Sequence, residues 1–544
     1  MRHTKHDAFK PFVSGNVYVC TLSGCSLLRA FKTLKPNSMH CALFLLSFFA
    51  LITFGLPTFA QLPSMPKRTL PEFSLSPAEV TAHIRFLAAD ELMGRMTGEM
   101  GNNVAARYIA EQFRFYGLKP LPGAPDYMQK VPMVKVKPPK HATLVLGRDT
   151  AQHGKNMLLL QGNAMDVKAP VVFAKHGIVD ETTGRDDYAG LDVKDKIVLV
   201  KLGASDGADI REALRLREAK QKAALARGAI ALVELYNASI AWTFIVQFIN
   251  RETIELRTDS ASDNMAYIWL NAGAGSFAAQ LNPDIPLSGA ISTSGLSHEP
   301  FLSQNVVGFI EGKDAKLKHQ YILLTAHYDH IGTRPQPNQT DTIFNGARDN
   351  GMGVTALLAA AKALAQAPPK RSVLCLALTG EEVGLLGSQY YAAHPLLPLD
   401  KAVFNLNVDG AGYNDTTIVT VIGWSRTTAQ SDIEAAAKAF GLGVVDDPAP
   451  EQNLFDRSDN VSFAAKGIPA PTFSQGFRSF DAEIGKYYHQ VTDQADDKFN
   501  FAYLHRFCQA YIHAVRRIAD RPTPPRWIAG DKYEPAFKQL YGEK

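Results

Sequence analysis

At 544 residues the chain is longer than one hydrophobic core usually organises, so two or more domains are expected. Its 46% hydrophobic and 20% charged composition excludes a disordered polymer and a membrane-saturated one. The formal charge of +4 originates in residues 1–60, where Arg2, Lys5, Lys10, Arg29, Lys32 and Lys35 face only Asp7; beyond them 51 basic residues stand against 52 acidic ones, a balance that suggests neither nucleic acid nor an anionic surface as a partner.

In chain order, the apolar run CALFLLSFFALITFGL (41–56) follows Arg29, Lys32 and Lys35 and precedes the small residues Thr58 and Ala60. That layout predicts a secretory signal over 1–60, cleaved after Ala60, and hence export to a periplasm or the extracellular space. The run is short for a membrane span and no stop-transfer pattern follows, so no stable span is expected after cleavage, an uncleaved N-terminal anchor being the alternative. The long stretch before Met39 makes that residue a second candidate start. Of five cysteines, Cys20, Cys25 and Cys41 fall in this segment; Cys375 and Cys508 are expected to be buried, inert thiols.

Ser76-Pro77-Ala-Glu79 reads as a capping box opening a helix that stops near Asp90. The Gly- and Met-rich loop ELMGRMTGEMG follows, then a helix over 102–116 with Gly117 as its C-cap. Between about 130 and 300 the texture turns to short β-type runs, among them APVVFAKHG, DKIVLVKLG and AIALVELY, around one helix, REALRLREAKQKAALARG, whose basic face is expected to be solvated. From 303 onward VVGFIEG, YILLTAHYD, SVLCLALTG, AVFNLNVDG and APTFSQG alternate with helical stretches such as GVTALLAAAKALAQ. The alternation predicts an α/β fold with a mostly parallel mixed sheet covered by helices.

Three of those strands end in potential ligands: His327-Tyr-Asp329, Glu381-Glu382 and Asp409. Active sites of open α/β sheets lie beyond the carboxyl ends of the strands. Asp349 in FNGARDNGMG and His489 in KYYHQVTD add a carboxylate and an imidazole. Two histidines and three carboxylates without a thiolate suit zinc, with manganese or cobalt behind it. Five ligands exceed what one catalytic zinc takes and suit two ions about 3.5–4 Å apart, bridged by a carboxylate.

The stretches AHYDHIG, NGARDNGMG, LTGEEVGLLGSQYY, NLNVDG, RSDNVSFAAKGIPA and YYHQVTD together resemble the di-zinc aminopeptidases of metallopeptidase family twenty-eight, relatives of glutamate carboxypeptidase II and the transferrin receptor. FLAADELMGRMTGEMGNNVAARYIAEQFRFYGLKPL resembles the family's N-terminal helix region, and the β-rich stretch resembles a protease-associated domain. The resemblance implies the zinc-dependent exopeptidase fold divided as 61–130 (N-terminal part of the peptidase domain), 131–300 (inserted protease-associated domain), 301–520 (catalytic domain) and 521–544 (tail). It implies two Zn2+ per chain and peptide substrates. His327 and Asp409 would hold one zinc, Glu382 and His489 the other, and Asp349 would bridge. Asp329 would orient the site, Glu381 would be the general base, and Tyr488 would hydrogen-bond the oxyanion, with Tyr487 competing for that role. Two departures stand out: Asn460 where many relatives carry His, and Arg348, which is read as altering substrate preference or facing solvent.

The resemblance implies an exported aminopeptidase. The alternatives are a glutamate-releasing carboxypeptidase, which needs a cationic pocket for which Arg348 and Arg457 are candidates, and a receptor-like module that has lost its metals, which the complete ligand set speaks against. A one-metal glutaminyl cyclase fits less well, since all five ligand positions are filled. Oligomeric state and side-chain preference are not readable.

Overall fold

The computed structural model describes residues 75–207, 209–257, 265–273, 287–335 and 340–542. The expected signal segment, Met39 and the three N-terminal cysteines lie outside the described residues. Two large sheets dominate, both within one compact unit, Leu70–Lys544.

The larger sheet has nine strands: β1 (Met128–Lys137), β2 (Thr253–Leu256), β3 (Ser297–Ile310), β4 (Tyr321–His327), β5 (Ser372–Leu378), β6 (Ala402–Val408), β7 (Ile418–Ile422), β8 (Gly443–Val445) and β9 (Thr472–Gln475). They lie in the order β2-β1-β3-β5-β4-β6-β9-β7-β8. The central strands β5, β4, β6 and β9 run parallel. β3 joins β5 antiparallel, as β1 joins β3 and β2 joins β1. The sheet is therefore mixed, with its parallel pairings concentrated where the ligand-bearing strands end.

Burial on both faces explains why these strands read as unbroken apolar runs. Ile322, Leu324 and Ala326 of β4 enter the core on one face, with Val373, Cys375 and Ala377 of β5. Tyr321 and Leu323, with Leu374, Leu376 and Leu378, enter the core on the other. The first core is closed by helices α1 (Pro77–Leu87), α2 (Met100–Tyr116), α4 (Met352–Gln366), α5 (Gln430–Ala439) and α6 (Phe501–Asp520). Cys375 and Cys508 are free and buried within it.

The second sheet has eight strands drawn from residues 142–295, parallel through its centre (163–173, 197–201, 231–236, 266–271) and antiparallel outside. Helix α3 (Ile210–Leu225) packs on one of its faces. The expected solvated basic face is present, with Arg211, Arg215 and Lys222 exposed, but Lys220 departs from it. Lys220 is fully buried, bonding Glu234 and the Lys201 carbonyl, and Glu234 in turn accepts from Tyr267 and Trp269. A lysine can sit in that core because a buried carboxylate and a backbone carbonyl meet it.

Helix α1 starts as expected, with Glu79 N–H donating to Ser76 Oγ at 3.4 Å. The return half of the capping box is absent, because the Glu79 carboxylate instead bonds Tyr116 and Lys362. Beside it His83 is buried, its ring nitrogens 2.8 Å from Tyr108 Oη and 3.0 Å from Tyr116 Oη. Burial lowers its pKa to about 4, against the pull of Glu79. The unfolded chain therefore takes up this proton near pH 6.5 and the folded one only near 4, so stability is whole above 6.5 and falls as the pH drops through that window. The loss should approach ~3 kcal/mol. Denaturant titrations at pH 7 and 4.5 should show His83→Gln losing less stability on acidification than the wild type.

Candidate metal centre

The ligands converge because β5, β4 and β6 are adjacent and parallel, so their carboxyl ends share one edge of the sheet. His327 is the last residue of β4, Asp409 directly follows β6, and Glu381-Glu382 leave a short turn after β5. Asp349 comes from the loop before α4, and His489 from the loop after the short helix Ala482–Gly485.

These five ligand candidates come together as two overlapping groups. His327 Nε2 lies 3.2 Å from Asp409 Oδ1 and 3.3 Å from Asp349 Oδ1. His489 Nε2 lies 3.0 Å from Glu382 Oε2 and 3.3 Å from Asp349 Oδ2. Each Asp349 oxygen thus addresses a different histidine. Such a donor set, nitrogen and oxygen with no sulfur, fits divalent zinc and shares one carboxylate between two positions.

Glu381, Glu382 and Tyr488 line the same pocket as the ligands. Asp329 is fully buried behind them and takes no place in the lining. Its carboxylate accepts the backbone N–H of both Glu381 and Glu382 at 3.2 Å and the Thr97 hydroxyl at 2.9 Å. His327 Nδ1 sits 3.2 Å from the Asp329 carbonyl and 3.7 Å from its carboxylate. One aspartate therefore orients the histidine of β4 and the glutamate pair after β5. Tyr488 stacks on His489 at 4.0 Å between ring centres, while Tyr487 covers Arg348 at 3.7 Å and stays outside the lining.

The electrostatics are those of crowded carboxylates. Burial opposes charging of His489, yet Asp349 and Glu382 raise its pKa to about 10. Burial likewise works against His327, and Asp409 and Glu381 outweigh it, holding the imidazole well above its ordinary value. Glu381 is shifted well upward, first by burial and then by Asp409 and Glu382 against His327. Such a group holds its proton more readily than an ordinary carboxylate.

Two side chains, His330 and Ser458, add to the site beyond those expected. His330 is fully buried, with Nδ1 2.6 Å from Glu382 Oε1 and its ring edge-on to His489 at 5.6 Å. It also forms a possible ligand group with Asp349 and Glu382. Its place three residues after His327 was the available signal. Ser458 donates to Asp409 Oδ2 at 2.5 Å and itself accepts from Asn407. Arg457 reaches the pocket with Nη2 3.2 Å from Tyr488 Oη. Asn460 is buried away from the lining and donates to the Ala470 carbonyl, so the position serves a packing contact in this chain.

Arg348 neither faces solvent nor reaches the pocket, contrary to both readings of it. It is buried, bonded to Asp493 Oδ1 at 3.0 Å and enclosed by Tyr413, Tyr487 and Phe499. Asp493 also accepts the backbone N–H groups of Arg348 and Asp349. The pair is an anchor under the backbone that presents Asp349.

Residues 305–515 match the model described as Peptidase family M28. Aminopeptidase YwaD of Bacillus subtilis (strain 168) is 30% identical over 201 residues, covering 36% of this chain and 40% of that protein. The vacuolar membrane protease of Saccharomyces cerevisiae (strain YJM789) is 37% identical over 112 residues, 21% of this chain and 10% of that one. The chain thus spans less than half the length of these curated relatives. Among solved structures, an aminopeptidase from Aneurinibacillus sp. strain AM-1 is similar at a TM-score of 0.51 and 22% identity, over 82% of this chain and 95% of that one; this likeness bears on the fold.

Proposed function

We propose that this chain, whose residues 305–515 match peptidase family M28, is an exported, zinc-dependent aminopeptidase removing N-terminal residues from peptides. The observation that carries the reading is the sharing of Asp349, each of whose oxygens faces one histidine of a separate ligand group. His327, Asp409 and Asp349 would hold one zinc, and Glu382, His489 and Asp349 the other. Bound there, two divalent ions would supply Lewis acidity toward the scissile carbonyl and toward a water.

The protein's own groups do the rest. Glu381 lines the pocket without belonging to either ligand group, and takes a proton from water and returns it to the leaving amine. Asp329 holds the backbone of Glu381 and Glu382 and the ring of His327 in place. Ser458 fixes the second oxygen of Asp409, and His330 that of Glu382. Tyr488, at the pocket wall, donates to the oxygen on which charge develops. Ile422, Leu454, Phe477 and Phe480 form an apolar side of the pocket that suits an apolar first side chain. Its carboxylates suit a substrate whose free end is an ammonium.

The carboxypeptidase alternative asks for cations facing the substrate. Of its two candidates, Arg348 is committed to Asp493 outside the lining and Arg457 alone reaches the pocket. Export rests on the apolar run 41–56 with its basic flank, and the 142–295 sheet serves in this reading as a protease-associated domain beside the catalytic one.

The test is a mixed peptide set, free and N-acetylated, incubated with the zinc-loaded protein and followed by mass spectrometry. Stepwise N-terminal loss from free peptides alone is expected, fastest from apolar N-termini. C-terminal trimming of both forms would replace the aminopeptidase reading with a carboxypeptidase.

A further inference from the structure

The loop ELMGRMTGEMG enters none of the ligand groups and lines no part of the pocket, yet its backbone is fastened to the segment just beyond His327. Gly332 N–H donates to the Gly94 carbonyl at 3.0 Å and His330 N–H to the Arg95 carbonyl at 3.3 Å. Gly94 has φ +69°, and a Cβ there would lie 2.3 Å from the Gly332 carbonyl oxygen, so the approach requires glycine. That contact turns Arg95 inward.

Arg95 is 1% exposed. Its guanidinium donates only to backbone carbonyls: Nε to Tyr328 at 2.8 Å, Nη1 to Leu87 and Asn345, and Nη2 to Gly346 at 3.0 Å. Tyr328 lies between His327 and Asp329, and Gly346 is three residues before Asp349. Among the described residues Arg95 makes no ion pair. Burial lowers its pKa to about 10, with Asp329, Asp349, Asp493 and Glu382 acting to sustain the charge, so the group is a cation at neutral pH. A buried cation spent wholly on carbonyls is costly to keep and has a geometric use: the planar fork sets fixed directions that a lysine ammonium cannot.

We propose that Arg95 is a positioning residue for the metal centre: its fork ties the strand end bearing His327 and Asp329 to the loop bearing Asp349 and so sets the spacing of the ligands. Thr97, two residues on, completes the brace from the same loop by bonding Asp329. The inference rests on the zinc reading above. Electrostatics and positioning predict opposite outcomes. A nearby cation repels a divalent ion, so its charge alone would make Arg95→Met bind zinc more tightly, whereas loss of the fork loosens the ligands.

The experiment measures zinc affinity of the full chain by competition with a chromogenic chelator, together with metal-free melting and the visible spectrum of the cobalt(II)-loaded protein. Wild type, Arg95→Lys and Arg95→Met are compared. Both variants are expected to bind zinc at least about tenfold more weakly, the usual scale for losing a group that orients ligands, with a changed cobalt spectrum. Unchanged or tighter zinc binding by Arg95→Met, or wild-type affinity and spectrum in Arg95→Lys, would overturn the proposal, as would lower metal-free melting with affinity untouched. If Arg95→Met does not fold, the charge-conserving Arg95→Lys decides alone. Absence of zinc binding by the wild type would instead sink the metal reading itself.

Discussion

Glu381→Gln should leave a protein that binds its full complement of zinc and turns over about 10²–10⁴ times more slowly, the range for removing a general base. The glutamine keeps the volume and the backbone N–H that Asp329 accepts, so the turn after β5 is retained. It cannot take a proton. Glu381 belongs to neither ligand group, whereas its neighbour Glu382 meets both His330 and His489. Glu382→Gln should accordingly differ in kind, losing metal along with rate. Zinc content by elemental analysis, measured beside kcat and KM on an aminoacyl anilide, separates the two. A zinc-replete Glu381→Gln protein with wild-type kcat would remove Glu381 from the proton-transfer role, and a zinc-depleted one would make it a ligand.

His327, Glu382 and Asp409 were legible because each lies at or just past the end of an apolar strand, where a charged or imidazole side chain has no packing purpose, whereas Asp349 and His489 come from loops and gained their place from the motifs around them. Asp409 after AVFNLNV and His327 closing YILLTA follow from strand periodicity and from the rule that α/β sheets carry chemistry at their carboxyl edge. What escaped was whatever depends on which way a side chain turns once the chain is folded. Arg348 stands beside Asp349 in sequence and points away from the pocket, because Asp493, far along the chain, receives it. Lys220 looks like one more charge on a basic helix face until Glu234 meets it in the core. Ser458 is an ordinary residue in its local sequence, and both it and His330 gain their roles from carboxylates that follow other strands. The antiparallel half of the larger sheet was hidden too. β1 and β2 pair with strands remote in sequence, and β2 leaves the stretch that builds the second sheet to join the first.

The Arg348–Asp493 pair, invisible in the sequence, should carry the larger stability effect. Removing one member of a buried ion pair strands the other charge and typically costs ~3–5 kcal/mol. The two single substitutions are not equivalent here. In Arg348→Met the Asp493 carboxylate still receives the backbone N–H groups of residues 348 and 349, so the loss should fall near the lower end. In Asp493→Ala the guanidinium keeps its aromatic enclosure but no carboxylate, and those two backbone donors lose their acceptor as well. That variant should be the less stable and should also bind zinc more weakly, because the freed backbone is the one presenting Asp349. The double variant, Arg348→Met with Asp493→Ala, removes both charges and should lose less than the sum of the two single losses in denaturant unfolding. If the three losses are instead simply additive, the two side chains are not coupled, and Asp493 acts on Asp349 through the backbone alone.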